Sequence, residues 1–148
     1  MAEVAHVFVC QVHRFPMKEL EKAELVEDVG VRGCIHGRKG SKRQVLLMDA
    51  ETLSRLGLAP GVVKENITTQ GIDFQKLSRA QRLRIGQSLL ETIEPCDPCE
   101  RMDEIRMGLR QELRGQRGWL CRVIESGRVE RGDRIEVLAP AASDPGVA

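Results

Sequence analysis

Apolar and polar positions alternate in short bursts along this chain, and few of the bursts carry a helical period. Residues 4–12 (Val-Ala-His-Val-Phe-Val-Cys-Gln-Val) are rich in β-branched side chains, short and uncapped, which predicts a buried strand. Residues 44–48 predict another strand, after which Asp49 N-caps a short helix to about Leu56, closed by Gly57. Residues 82–93 read as strand, turn and strand broken at Gly86, and 119–125 with 134–138 as a closing hairpin with a longer loop. Met102, Ile105, Leu109 and Leu113 are spaced as an amphipathic helix that ends near Gly115. The acidic stretch 18–28 allows a weak strand, and 65–69 has no helical period. Many short strands, two helices and no βαβ rhythm predict a mainly β (α+β), barrel-like domain over 1–138 with a few short helices. The Ala-, Pro-, Ser- and Gly-rich segment 139–148 predicts a disordered tail.

Length and composition bound this picture. At 148 residues the chain is one domain, long enough to bury a core of Val, Leu and Ile without staples. No apolar run approaches the roughly 20 residues of a membrane span, and residues 1–11 lack a basic region before their apolar stretch, so neither a membrane segment nor a signal peptide is expected. Five cysteines, an odd number, point to a reducing, cytoplasmic setting, where clustered thiols mean metal or redox chemistry more often than disulfides. Lys and Arg number 23 against 22 Asp and Glu, a formal net charge of +1 that argues against a nucleic-acid partner. The total hides segregation. Arg32, Arg38, Lys39, Lys42 and Arg43 lie in a glycine-punctuated loop with no acidic residue between Val31 and Met48. Such a patch suits a small anion.

The sharpest chemical signal is Pro95-Cys96-Asp97-Pro98-Cys99-Glu100. Asp97 suits an N-cap, Pro98 the first helical position, and Glu100 completes a capping box. That places Cys99 in the first turn of a helix, where backbone N–H groups and the helix dipole favour a thiolate, the form that attacks sulfur or binds a soft metal. Two plainer readings stand beside it. The pair can be two buried thiols, or Cys34 and His36 can join Cys96 and Cys99 around zinc, although their tight spacing is unusual for a structural site. Cys10 and Cys121 lie in apolar strands and read as core residues. Arg117, between Gly115 and Gly118, is placed to reach a ligand. Glu65, Asn66 and Thr68 are polar groups that need partners if buried, and a binding site is one way to supply them.

Taken in order, these segments resemble the MOSC domain, the family named for the C-terminal domain of molybdenum cofactor sulfurases. The motifs are Gly33-Cys34-Ile35-His36-Gly37, Arg43-Gln44-Val45, Glu65-Asn66-Ile67-Thr68-Thr69 with Gly71, Leu83-Arg84-Ile85-Gly86, Pro95-Cys96-Asp97-Pro98-Cys99, then Arg117-Gly118 and Gly132-Asp133. The chain is similar to a small standalone bacterial member. The resemblance implies a barrel-like β domain that binds a molybdenum-pterin cofactor (molybdenum cofactor) or carries sulfur as a cysteine persulfide, as a sulfurtransferase or oxidoreductase. Cys99 matches the family's key cysteine, the persulfide carrier in sulfurases and a thiolate ligand to molybdenum in related reductases. His36, Arg43, Asn66, Thr68 and Arg117 are the expected cofactor-binding residues, with Cys96, Cys34 and Glu65 as secondary candidates. Where the family usually has an acidic residue in the glycine loop, this chain has Cys34, which brings a further thiol toward the sulfur chemistry.

The implied partners are a cysteine desulfurase, to which any pyridoxal phosphate belongs, or a molybdoenzyme or cofactor-biosynthesis protein. The expected small ligand is an anionic pterin. Two other functions stay open at this point. One is reduction of N-hydroxylated compounds through a molybdenum cofactor, a detoxifying role associated with some small bacterial members. The other is a non-catalytic zinc-binding or metallochaperone module.

Overall fold

The Val-rich start of the chain forms β1 (Glu3–Val9), which ends before Cys10 rather than at residue 12. Residues 11–16 turn outward as an exposed loop, with Arg14 at a positive φ of 69°. The computed structural model describes residues 1–140. The remaining strands are β2 (Lys18–Leu20), β3 (Lys22–Val26), β4 (Gly30–Val31), β5 (Val45–Asp49), β6 (Ile67–Gln70), β7 (Gln81–Ile85), β8 (Ser88–Pro95), β9 (Trp119–Glu125), β10 (Gly127–Glu130) and β11 (Ile135–Pro140). They form an eight-stranded sheet in the order β11-β7-β8-β9-β5-β6-β1-β2 and a three-stranded sheet in the order β10-β3-β4.

The mainly β expectation holds. The large sheet curls until the start of β1 meets the approach to β11, through an isolated Glu3–Arg134 bridge and the bonds Val4 N to Asp133 O (2.8 Å) and Ile135 N to Ala2 O (2.9 Å). The ladder is not continuous there, so the sheets stay open and the barrel is not closed. The expected hairpin of 119–125 with 134–138 is corrected. Both edges of β9 are filled, by β5 and β8, and β11 pairs with β7. The intervening segment is β10, which buries Val129 and pairs with β3. Ala139 and Pro140 belong to β11 rather than to a tail, and residues 141–148 lie outside the described residues.

β5 positions the site. Its five residues are all buried because side chains alternate between two faces that are both covered, Leu46 packing with Cys96 and Leu120. Val45 and Leu47 join the main core with Val7, Ile67, Leu90 and Val123, while Met48 packs with Leu53, Val63, Met102, Leu109 and Leu113. At its end Asp49 caps α1 (Ala50–Arg55), accepting from Thr52 N at 3.2 Å and from the Thr52 hydroxyl at 2.6 Å. α1 carries the chain to β6, which pairs parallel with β5.

The apolar stripe from Met102 to Leu113 does not make one helix. The backbone turns extended at Arg106 (φ −158°, ψ 131°), which ends α2 (Arg101–Ile105), and Gly108, at a left-handed φ of 85°, is the N-cap from which α3 (Leu109–Glu112) starts. Met102, Leu109 and Leu113 still reach the core, but Ile105 is left 39% exposed.

Candidate functional site

Where β8 ends, Pro95 pairs with Trp119 and the Cys96 N–H donates to Gly118 O at 2.9 Å. This fixes Cys96 to the sheet edge, with 3% of its surface exposed. From there the chain runs through Asp97 and Pro98, without turn or helix, to an exposed Cys99. The capped-helix expectation is therefore corrected. α2 begins at Arg101, its N-cap is Glu100 without a side-chain cap, and Asp97 caps nothing. Cys99 stands before a helix of five residues, so the helix dipole is not what prepares it.

Both cysteines line a cleft of about 650 Å³, together with His36, Arg43, Asn66 and Arg117. Residues that the motifs did not single out complete it: His13 and Arg14 from the loop after β1, Lys64, and Glu104 of α2. Arg38 and Arg101, read as a basic loop residue and a solvated helix face, line it as well. Six cations (Arg14, Arg38, Arg43, Lys64, Arg101 and Arg117) thus face a single carboxylate, Glu104. The wall is tied together by Arg101 Nη2 against His13 Nε2 at 3.2 Å and by the Lys64 ammonium donating to Phe15 O at 2.9 Å. A second cleft, of about 690 Å³, is lined by Asp49, Arg55, Asp73, Gln116 and Trp119 among others, and contains no cysteine or histidine.

Arg117 forms the floor. It is buried, donates through Nη2 to Val63 O at 2.8 Å and through Nη1 to Cys96 Sγ, and its Nε has no partner. It has no ion pair with a carboxylate among the described residues. Burial pushes the Cys96 thiol up, while the positive charges of Arg117 and Arg43 pull it down only in part.

Three expected residues are elsewhere. Thr68 is buried and its hydroxyl donates to Glu65 Oε2 at 2.7 Å. Glu65 also accepts from Gly61 N at 2.9 Å, and burial pushes its carboxyl up. The pair braces the β6 approach and does not line the cleft. Cys34 is also buried outside the lining; its sulfur accepts from Cys10 N at 3.5 Å and Asn66 Nδ2 at 3.4 Å, with His36 Nδ1 at 3.9 Å. Burial alone would raise this thiol, but those hydrogen bonds outweigh it and lower it to about 7. Asn66 lines the cleft with its polar atoms already engaged: Oδ1 accepts from Leu46 N at 3.0 Å, and Nδ2 also donates to Phe8 O at 3.2 Å. The zinc set does not assemble, because Cys34 faces Cys10 and Asn66. Among the described residues no group of three or more His, Cys, Asp or Glu side chains is placed to hold a metal ion. No helix of the described residues is long and apolar enough to cross a membrane.

Comparison with known proteins bears on the fold and the family. The uncharacterized protein YflK of Bacillus subtilis is 28% identical over 93 residues, which cover 60% of this chain and 42% of that protein. The matched segment is thus less than half of the relative's length. The crystal structure of the YuaD protein from Bacillus subtilis superposes with a TM-score of 0.80 at 20% identity, covering 95% of this chain and 98% of that one. YiiM from Geobacillus stearothermophilus gives 0.78 at 14% identity over 97% of this chain and 78% of its own, and YiiM from Escherichia coli 0.72 at 20% over 97% and 72%. These likenesses show the fold. The MOSC domain family, associated in general with molybdenum cofactor binding or sulfur handling, matches by its family model over residues 35–136, more than half of the chain, and the chain belongs to that family.

Proposed function

We propose that the protein is a sulfur carrier that also binds an anionic molybdenum-pterin cofactor, with Cys99 as its sulfur acceptor. The supporting observation is the cleft itself, in which six cations and one carboxylate surround an exposed thiol. The residues fit a phosphate-bearing pterin, because Arg117 is a buried guanidinium with an unpartnered Nε and, among the described residues, no ion pair with a carboxylate. Arg117 and Arg43 would hold the phosphate, since planar guanidinium groups bind such oxygens in pairs. His36 adds a donor at the wall. Asn66 positions the Cys34 loop rather than reading the ligand, its amide being engaged already. When bound, the cofactor would supply a molybdenum centre for which a soft thiolate such as Cys99 is a suitable ligand.

Sulfur uptake requires only that Cys99 be reached from outside. Its thiolate attacks the outer sulfur of a persulfide on a donor protein; the new S–S bond forms on Cys99, and the donor cysteine leaves as a thiol. The donor class is a pyridoxal-phosphate cysteine desulfurase, whose cofactor chemistry stays on that partner. The cytoplasm, where thiols stay reduced, is the setting that suits this exchange.

The test incubates reduced full-length protein with a cysteine desulfurase and cysteine, and separately with cofactor released from a molybdoenzyme. Mass spectrometry should find one added sulfur on Cys99, and gel filtration should retain molybdenum and pterin together, with retention falling as salt rises. Cys99→Ser that accepts sulfur and retains molybdenum like the wild type would sink the proposal. Reduction of an N-hydroxylated substrate by the loaded protein, without any sulfur on Cys99, would replace it with the reductase reading.

A further inference from the structure

We propose that Cys96 is a second sulfur station, which takes the outer sulfur from a persulfide on Cys99 at the cleft mouth and holds it beside Arg117 at the floor. This rests on the sulfur-carrier reading above. Three observations support it. The two cysteines line one cleft at opposite depths, Cys99 exposed and Cys96 3% exposed, so a donor protein reaches only the first. The link between them forms neither turn nor helix. A persulfide on Cys99 carries its outer sulfur one S–S bond of about 2.05 Å beyond the Cys99 sulfur, within the cleft that both cysteines line. Finally, the buried Arg117 donates through Nη1 to Cys96 Sγ, which sets a positive charge directly against that sulfur, and its Nε keeps no partner.

The step balances without an external oxidant. Cys96 sulfur attacks the outer sulfur of the Cys99 persulfide, an S–S bond to Cys96 forms, and the bond from that sulfur to Cys99 breaks. Cys99 leaves with the electron pair and takes up the proton that Cys96 releases. One sulfane sulfur is present before and after. The direction of transfer follows from acidity. Burial keeps the Cys96 thiol up and neutral at rest, but a hydropersulfide is a stronger acid than its parent thiol and ionises against the guanidinium. Arg117 therefore holds the loaded form more strongly than the empty one.

The experiment loads reduced full-length protein with glutathione persulfide, traps it with an alkylating agent at intervals, and localises the added sulfur by fragment ions that separate Cys96 from Cys99. In the wild type the added sulfur should appear on Cys99 first and on Cys96 afterwards, as the Cys99 signal falls. Cys99→Ala should slow labelling of Cys96 by about tenfold or more, because the floor thiol is shielded. Cys96→Ala should load Cys99 at the wild-type rate and keep the sulfur there. Arg117→Met should lower the share of the added sulfur found on Cys96 relative to that on Cys99. A wild type labelled on Cys99 and never on Cys96, or a Cys99→Ala variant labelled on Cys96 as fast as the wild type, overturns the relay while the carrier reading survives. No label on Cys99 overturns both.

Discussion

Arg117 holds Cys96 from the inside: its guanidinium donates to the cysteine sulfur and to Val63 O, with no carboxylate among the described residues paired to it. A buried charge of this kind is a weak source of stability, since an apolar side chain of similar volume avoids its desolvation. Arg117→Met is therefore expected to change unfolding free energy by no more than about 1–2 kcal/mol in denaturant titrations. Retention of molybdenum and pterin should drop by about tenfold or more in the same variant, because the floor loses its paired donors.

Cys34 makes stability depend on pH. Its thiol is lowered from 9.0 to about 7 in the folded chain. Between those values the unfolded chain binds more protons, so this group adds stability as pH rises and loses it as pH falls through about 7. Stability measured across that window should climb more steeply in the wild type than in Cys34→Ser. Equal slopes would remove the thiolate at Cys34.

Glu65 works in the opposite sense. Burial pushes its carboxyl up, against the bonds from Gly61 N and the Thr68 hydroxyl, so the folded chain holds the proton more tightly. Its contribution is full at acid pH and declines as pH rises beyond the ordinary carboxylate range. Glu65→Gln should gain stability relative to the wild type as pH rises above the ordinary carboxylate range, read as a difference of unfolding midpoints. A constant difference would count against a raised carboxyl.

Gly118 joins the sheet to the site. It adopts a φ of 96°, and a Cβ there would drive into the Leu47 carbonyl of β5. Gly118→Ala should cost about 3 kcal/mol or more, a size reserved for strained backbone and core disruption. It should also speed alkylation of Cys96, whose N–H is held by the Gly118 carbonyl at 2.9 Å.

The residues readable in the sequence were those whose chemistry is local. Cys96, Cys99, His36, Arg43 and Arg117 stand out by type and by glycine neighbours, and the structure brings all five to one cleft. Asp49 announces its helix because capping acts within three residues. The failures concern relations across the chain. Asp97-Pro98 carries the same capping signal, but Cys96 is bound to the β9 edge and the backbone enters its helix only at Arg101. Arg106 turns extended inside an apolar stripe of helical spacing, and no residue type at that position marks the break. Thr68 donates to Glu65 Oε2, which no spacing rule separates from contact with a ligand. The cationic wall draws Arg14, Lys64 and Arg101 from three distant segments, each of which looks like ordinary surface alone.

The unequal depth of Cys96 and Cys99 has a consequence for the chemical ageing of the protein. Peroxide in solution meets the mouth thiol first, and over-oxidation there to sulfinic or sulfonic acid is not undone by ordinary thiols. The floor thiol survives the same exposure under its cover of Arg117 and the sheet edge. Protein handled in air should therefore lose its capacity to take up sulfur while it still folds and still presents its positive cleft, so that inactive preparations are recognised by the mass of the peptide around Cys99 and not by their stability.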